Sequence, residues 1–109
     1  MENRHFLLKD VFPDLAEEIR QVFVYYKRIE LYEQVDKLEI VSLCECGEIN
    51  CGSFYTVTPP NEEEEYNVEG FIISSGKALV EIYEGKIGYI EIMPSQYGQE
   101  IHNKLLELL

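Results

Sequence analysis

The chain has 109 residues, of which 21 are acidic and 9 are basic, so its formal net charge is -12 at pH 7. This length suits one domain spanning residues 1–109, and a hydrophobic content of 46% is too high for a disordered acidic tail. The charge argues against nucleic acid as a direct ligand, because attraction to phosphates needs lysine and arginine. It favours a basic protein as the partner.

The sequence predicts a cytoplasmic protein that does not enter the membrane. It contains no apolar run of the roughly 18 residues that a membrane span requires, and residues 1–5 do not have the pattern of a signal peptide. Its three cysteines, an odd number, do not make a secreted disulfide framework. We therefore expect them to stay thiols in a reducing compartment.

An amphipathic helix is predicted near the N-terminus, because apolar residues recur there at steps of three and four. They are Leu8, Phe12, Leu15, Ile19, Val22, Tyr26 and Ile29. Acidic residues lie early in this stretch and Lys27 and Arg28 lie late, as the helix dipole favours. We expect one helix from about residue 10–14 to about residue 30. Residues 31–37 either continue it or form a turn.

From Leu38 onward the apolar period changes to two, which predicts β-strands. The five candidate strands are Leu38 to Cys46, Ser53 to Val57, Phe71 to Ser74, Ala78 to Tyr83 and Ile87 to Met93. Short turns with glycine connect the later strands, whereas parallel strands would need long crossovers. The strands are therefore expected to form an antiparallel meander.

The last segment predicts a second helix. Ser95 is a candidate N-cap, and Tyr97, Ile101, Leu105 and Leu108 would lie on one face. The predicted fold is therefore α+β, with an N-terminal helix, a five-stranded antiparallel meander sheet and a C-terminal helix.

Three cysteines form the most unusual local pattern. On a strand, Cys44 and Cys46 point to the same face and Cys51 lies across a turn, so their thiolates could approach one zinc ion. The spacing differs from that of structural zinc sites, and the fourth ligand would have to be the distant His5 or His102. Inert hairpin thiols explain the same pattern. No metal or cofactor is predicted, and a small cysteine-dependent metal-binding domain is the alternative function.

The sequence contains no glycine-rich phosphate-binding loop, no G-x-S-x-G nucleophile elbow and no H-E-x-x-H zinc-protease motif. The protein is therefore not predicted to be an enzyme. The candidate partner-binding residues form an acidic cluster with one tyrosine instead. They are Glu62, Glu63, Glu64, Glu65, Tyr66 and Glu69. A solvated loop that aids solubility is the competing interpretation. The helix face with Glu17 and Glu18 is a second candidate.

Eight tyrosines are too many for so small a core to hold with satisfied hydroxyl groups, so some of them should be exposed. Exposed tyrosine beside carboxylate is typical of a charge-complementary protein interface. The acid excess is denser in the second half of the chain, where residues 61–109 carry 10 acids and 3 bases.

Several spaced pieces of the chain resemble a group of small acidic bacterial proteins. The pieces are Leu38 to Ile40, Cys44-x-Cys46-Gly47 with Cys51, Ser53 to Thr56, Gly85 to Ile87 and Ile90 to Ile92, which together with their spacing cover about half of the chain. They are similar to immunity proteins of contact-dependent inhibition and other polymorphic toxin systems. The resemblance implies a cytoplasmic protein that binds and neutralises a cognate toxin domain, often a nuclease.

Overall fold

The structure, a computed structural model, describes residues 6–44, 51–57 and 67–108. Within these ranges the chain forms four helices and five strands. The helices are α1 (Leu8–Val11), α2 (Pro13–Tyr25), α3 (Ile29–Val35) and α4 (Gln96–Leu108). The strands are β1 (Ser42–Leu43), β2 (Phe54–Tyr55), β3 (Val68–Ile72), β4 (Ala78–Tyr83) and β5 (Lys86–Ile92).

The five strands form one antiparallel sheet with the order β1-β2-β5-β4-β3. This confirms the α+β class and the five-stranded antiparallel sheet. The meander runs through β3, β4 and β5, whereas the β1–β2 pair joins it at β5 rather than at β3. Phe54 of β2 accordingly lies opposite Ile90 of β5. As a result, β3 is an edge strand.

The predicted N-terminal helix begins in the expected range, at Pro13, but its predicted end near residue 30 is wrong, because α2 stops at Tyr25 and a separate helix, α3, follows. Pro13 stands at the first position of α2, where its missing N–H costs no hydrogen bond. After Tyr25 the backbone turns through Lys27, whose φ is 57°, and α3 starts at Ile29. Leu8, Leu15 and Ile19 are buried as predicted, but Tyr26 and Ile29 are exposed.

The first predicted strand is also shorter than expected. Its residues Leu38 and Ile40 are buried, but the Leu38 carbonyl accepts from the Leu8 N–H, and the Ile40 N–H donates to the Phe6 carbonyl. These backbone groups therefore pair with the N-terminal segment, so only Ser42 and Leu43 form the β1 strand that pairs with β2. Glu45 and Cys46 lie outside the described residues.

The helices cover one face of the sheet. Phe54, Val80, Ile82 and Ile90 alternate toward that face and are fully buried in a core shared with residues of all four helices. The alternate residues of the strands lie on the opposite face, and those of β4 and β5 there are only half-buried. Within the described residues, helices therefore cover only one face of the sheet, as expected for a two-layer α+β domain.

The C-terminal helix is confirmed, with its predicted cap. The Ser95 hydroxyl accepts a hydrogen bond from the Gly98 N–H at 3.1 Å, which satisfies one of the first-turn donors. Ile101 and Leu105 are buried on the predicted face. The backbone of Gly52 approaches this helix so closely that a Cβ there would lie 2.6 Å from the Gly98 carbonyl oxygen.

Candidate protein-binding surface

Only one residue of the predicted acidic site lies in the described part of the chain. Glu62, Glu63, Glu64, Glu65 and Tyr66 lie outside the described residues, whereas Glu69 belongs to β3.

Glu69 is held by an arginine. The Arg28 guanidinium donates to both of its carboxylate oxygens, at 2.6 and 3.1 Å, and also pairs with Glu30. Hydrogen bonding to Arg28 holds the pKa of Glu69 below its ordinary value. Glu69 therefore fastens the turn between α2 and α3 to the edge strand, in addition to carrying charge at the surface.

The cysteines are not gathered into a metal site within the described residues. Cys44 and Cys51 are both half-buried, Cys46 lies outside the described ranges, and no group of three potential ligands occurs among residues 6–44, 51–57 and 67–108. His102 uses its Nδ1 atom on the backbone carbonyl of Cys51, at 3.1 Å. Since a carbonyl only accepts, that nitrogen carries the ring proton.

Sequence reasoning missed the most exposed apolar surface of the described chain, which lies where α2 ends and α3 begins. Its members are large side chains that stand in solvent. They are Val24, Tyr25, Tyr26, Ile29 and Tyr32, and we refer to them as the α2–α3 surface. Tyr25 is 79% exposed and Ile29 is 67% exposed. Contiguous apolar patches of this kind commonly mark interaction sites.

A helix-ending motif creates this surface. The Arg28 N–H donates to the Phe23 carbonyl at 2.9 Å and the Lys27 N–H to the Val24 carbonyl at 3.2 Å, the two bonds of a Schellman motif. Lys27 occupies the left-handed position that glycine usually fills, at a cost of about 1 kcal/mol. Because the helix stops here, the apolar stripe leaves the core. No glycine or asparagine marks the stop in the sequence, which is why the stripe is predicted to run on.

Polar contacts attach α3, the helix that follows the turn, to α2 and to the sheet. Arg20 of α2 pairs with Asp36, the residue that follows α3, so the two helices run back along each other from the turn. Gln34 donates to the Gly85 carbonyl at 2.9 Å and accepts from the Ile87 N–H at 3.0 Å. These bonds attach α3 to the start of β5. The turn between α2 and α3 is therefore held at a defined place beside the sheet.

A chain of aromatic contacts connects the exposed surface to the core. The Phe23 ring packs edge-on against Phe71 at 5.4 Å, Phe71 contacts Tyr26 at 5.3 Å, and Tyr26 contacts Tyr25 at 5.0 Å between ring centroids. The Arg28 guanidinium lies 5.7 Å from the centre of the Phe71 ring. Edge-to-face pairs are a preferred geometry of aromatic rings and stabilise the fold beyond the area that they bury. These contacts favour the observed position of Tyr26, although half of its side chain is exposed.

Two shallow grooves flank the α2–α3 surface. One, of about 510 Å³, lies between α2 and the edge strand and is lined by Tyr25, Tyr26, Ile72 and Ser74 among others. The other, also of about 510 Å³, lies between α2 and α3 and is lined by Val24, Ile29 and Tyr32 among others. Apolar grooves beside exposed tyrosines are suited to receive side chains of another protein.

The open face of the sheet carries the second group of tyrosines. The Tyr55 and Tyr89 rings lie 4.5 Å apart between centroids, and the Tyr83 hydroxyl donates to the Glu81 carboxylate at 2.7 Å. Burial, followed by this hydrogen bond, raises the pKa of Tyr83. The predicted exposure of some tyrosines is confirmed, and tyrosine and carboxylate meet on this face as well. The period-two alternation of β4 in the sequence already places Glu81 and Tyr83 on the same face of the sheet.

Searches against protein-family models, curated proteins and solved structures found no match to this chain. Within the described residues, no helix combines the length and apolar character needed to cross a membrane. The surface itself is therefore what indicates function: exposed tyrosines and aliphatic side chains lie at the turn between α2 and α3, within a strongly acidic chain.

Proposed function

We propose that this chain is a cytoplasmic binding protein that recognises a basic protein partner, and that the partner is a toxin domain which it neutralises. The observation that carries the binding function is the α2–α3 surface. Five large apolar side chains are exposed together there, and the contacts of Tyr26 and Arg28 hold them in place. Surfaces of this composition supply the central anchors of protein interfaces.

The charge of the chain supports a basic partner. A net charge of -12 attracts a cationic protein over distances of several ångströms and raises the rate of encounter at low salt. Apolar contacts at the α2–α3 surface would then supply the central anchors, whereas complementary charges would add specificity, faster association and, where close pairs form, binding free energy. Glu62 to Glu65, with Tyr66 and Glu69, stay proposed partner-binding residues that add charge complementarity to the interface.

Neutralisation of a nuclease toxin is the form of this function that the sequence resemblance implies. A nuclease binds the phosphates of its substrate with a basic surface. An acidic protein that covers this surface competes directly with the nucleic acid. In complexes between acidic inhibitors and basic nucleases, close charge pairs across the interface contribute strongly to the binding free energy.

Growth protection tests this proposal. We expect the wild-type chain to rescue cells that produce the toxin domain encoded beside its gene, and to co-purify with that domain. Tyr25→Ser should weaken the complex about tenfold, because a central tyrosine anchor is lost. Tyr25 makes no buried contact that its replacement would empty, since it is 79% exposed.

Leu106→Ser is the matched control. Leu106 is also an exposed apolar residue, but it belongs to α4 and not to the α2–α3 surface. Its replacement should leave affinity and protection unchanged. Absence of both protection and a co-purifying complex with the wild-type chain would contradict the proposal, and equal loss in the two variants would contradict the role of the α2–α3 surface.

A further inference from the structure

Among the described residues, the edge strand β3 presents backbone groups that no other strand pairs with, beside the α2–α3 surface. The Asn67 carbonyl accepts from the Glu84 N–H and the Ile73 N–H donates to the Ala78 carbonyl, so odd-numbered residues face β4. Backbone direction alternates along a strand. Val68, Gly70 and Ile72 therefore point their N–H and C=O groups away from the sheet. Val68 and Ile72 are 55% and 61% exposed.

We propose that β3 accepts an extended segment of the basic partner as a sixth strand. This inference rests on the proposed binding function and specifies how the partner is held. Three outward residues offer a ladder of hydrogen bonds, and strand addition is a common way for proteins to bind extended segments. Side chains at alternate positions of the added strand would contact Val68 and Ile72 on one face of the sheet.

The opposite face of the added strand would meet the helices. The groove between α2 and β3 is lined by Tyr25 and Tyr26 together with Ile72 and Ser74. A strand beside β3 would extend along this groove, so that its helix-facing side chains contact the two tyrosine rings. The edge of the sheet and the α2–α3 surface are therefore parts of one continuous docking surface.

Glycine at the centre of β3 indicates the chemistry of the added strand. Gly70 lies opposite Glu81 of β4, on the face that none of the four described helices covers. Because Gly70 has no side chain, a long side chain from the added strand can pass over it toward the Glu81 carboxylate. The hydroxyl of Tyr83 donates to one oxygen of that carboxylate, Oε2, at 2.7 Å. An arginine or lysine opposite Gly70 matches this arrangement.

The negative charge of the chain favours a basic segment at β3 over a second copy of the same protein. Each copy carries a net charge of -12, so two copies repel one another. Pairing of two β3 strands would bring together two bodies of the same net charge, and antiparallel pairing about Gly70 would place no cation near Glu81. A basic segment is attracted by the charge that opposes self-association.

A synthetic peptide tests the inference with the full chain. The probe is a nine-residue peptide with blocked ends, arginine at the centre, valine two residues to each side and threonine elsewhere. We expect it to slow amide hydrogen exchange of Val68, Gly70 and Ile72 at least tenfold at saturation. The amides of Glu69 and Phe71, which face β4, are the internal control and should change little.

The role of Glu81 is tested by a pair of peptides. Replacement of the central arginine by glutamine should weaken binding several-fold, and Glu81→Gln in the protein should abolish the difference between the two peptides. Ile72→Lys should weaken binding of the arginine peptide, whereas Leu106→Lys should not. Circular dichroism of each variant verifies that it is folded, and N-methylation of the peptide at alternate residues should abolish binding.

The inference is overturned if the saturated complex leaves the outward amides in fast exchange, if the peptide does not bind, or if the free protein is a dimer with these amides already slow. Failure of the proposed function is distinguishable from this. A toxin complex in which the β3 amides still exchange rapidly contradicts strand addition alone. Peptide binding at β3 without toxin neutralisation contradicts the toxin function alone.

Discussion

Arg28 joins three parts of the candidate surface through one side chain. Its backbone N–H closes the motif that ends α2, its guanidinium lies over the Phe71 ring, and its hydrogen bonds reach Glu69 on β3 and Glu30 on α3. These contacts are partly exposed, so their electrostatic energy is screened by solvent. Arg28 therefore matters mainly because it fixes the relative position of the turn and the edge strand.

The ion pair between Arg28 and Glu69 should depend on pH. Pairing with Arg28 lowers the pKa of Glu69 from its ordinary value of 4.5. A lowered carboxyl pKa stabilises the folded state above 4.5, and this contribution is lost as the pH falls through the folded-state pKa. We expect Arg28→Gln to raise the pKa of Glu69 toward 4.5, as measured by NMR titration of its side-chain carboxyl carbon.

Arg20→Gln provides the control for that titration. Arg20 pairs with Asp36 and holds the pKa of that carboxyl below its ordinary value, but it does not contact Glu69. The control variant should therefore shift the titration of Asp36 and leave that of Glu69 unchanged. If Arg28→Gln left the Glu69 titration where it is in the wild type, the ion pair would not form in solution.

At the scale of the element, α4 is positioned by a close approach of two backbones. The chain just before β2 passes α4 at Gly52, where a Cβ would also lie 2.9 Å from the Cβ of Ile101. Only glycine fits this contact without movement of one backbone. The packing of α4 against the sheet is therefore sensitive to a single methyl group.

We expect Gly52→Ala to destabilise the protein by about 1–3 kcal/mol, the usual cost of overpacking a close contact. The measurement is the free energy of unfolding from urea denaturation. Gly70→Ala is the matched control, because its Cβ would meet the nearest atom, on Leu79, at an ordinary distance of 3.6 Å. Equal stability of the two variants would show that α4 does not approach Gly52 this closely.

The elements show where prediction from sequence succeeds and where it fails. β4, β5 and α4 were predictable within a few residues, because alternation and the Ser95 cap are local signals that agree with the final packing. The end of α2 was not predictable from the sequence, because Lys27 adopts a positive φ that its residue type does not indicate. The exposure of Tyr26 and Ile29 follows from that unpredicted break.

At the scale of the whole molecule, the excess of acid is only partly compensated. Both arginines in the described residues are engaged in ion pairs, and the net charge remains -12. Like charges on one small body repel one another and oppose the compact state. Sequence composition was sufficient to predict this property. It was not sufficient to predict which face is anionic, since that depends on the fold.

We expect stability to rise with salt. When the NaCl concentration increases from about 0.01 M to about 0.15 M, the Debye length falls from about 30 Å to about 8 Å and the repulsion is screened. Each kcal/mol of repulsion relieved should raise the midpoint of thermal unfolding by roughly 4–8 °C for a domain of this size. Thermal denaturation followed by circular dichroism measures the change. A fall in the midpoint would show that the ion pairs outweigh the repulsion.

The order of strands in the sheet has a consequence for how the chain folds. β3, β4 and β5 are neighbours both in sequence and in space, whereas β2 must find β5 across the whole meander. Loop-closure entropy delays contacts between distant parts of a chain. We expect the three-stranded meander to form the folding nucleus and the β1–β2 pair to join afterwards. The proposed docking strand would thus be in place before the opposite end of the sheet is complete.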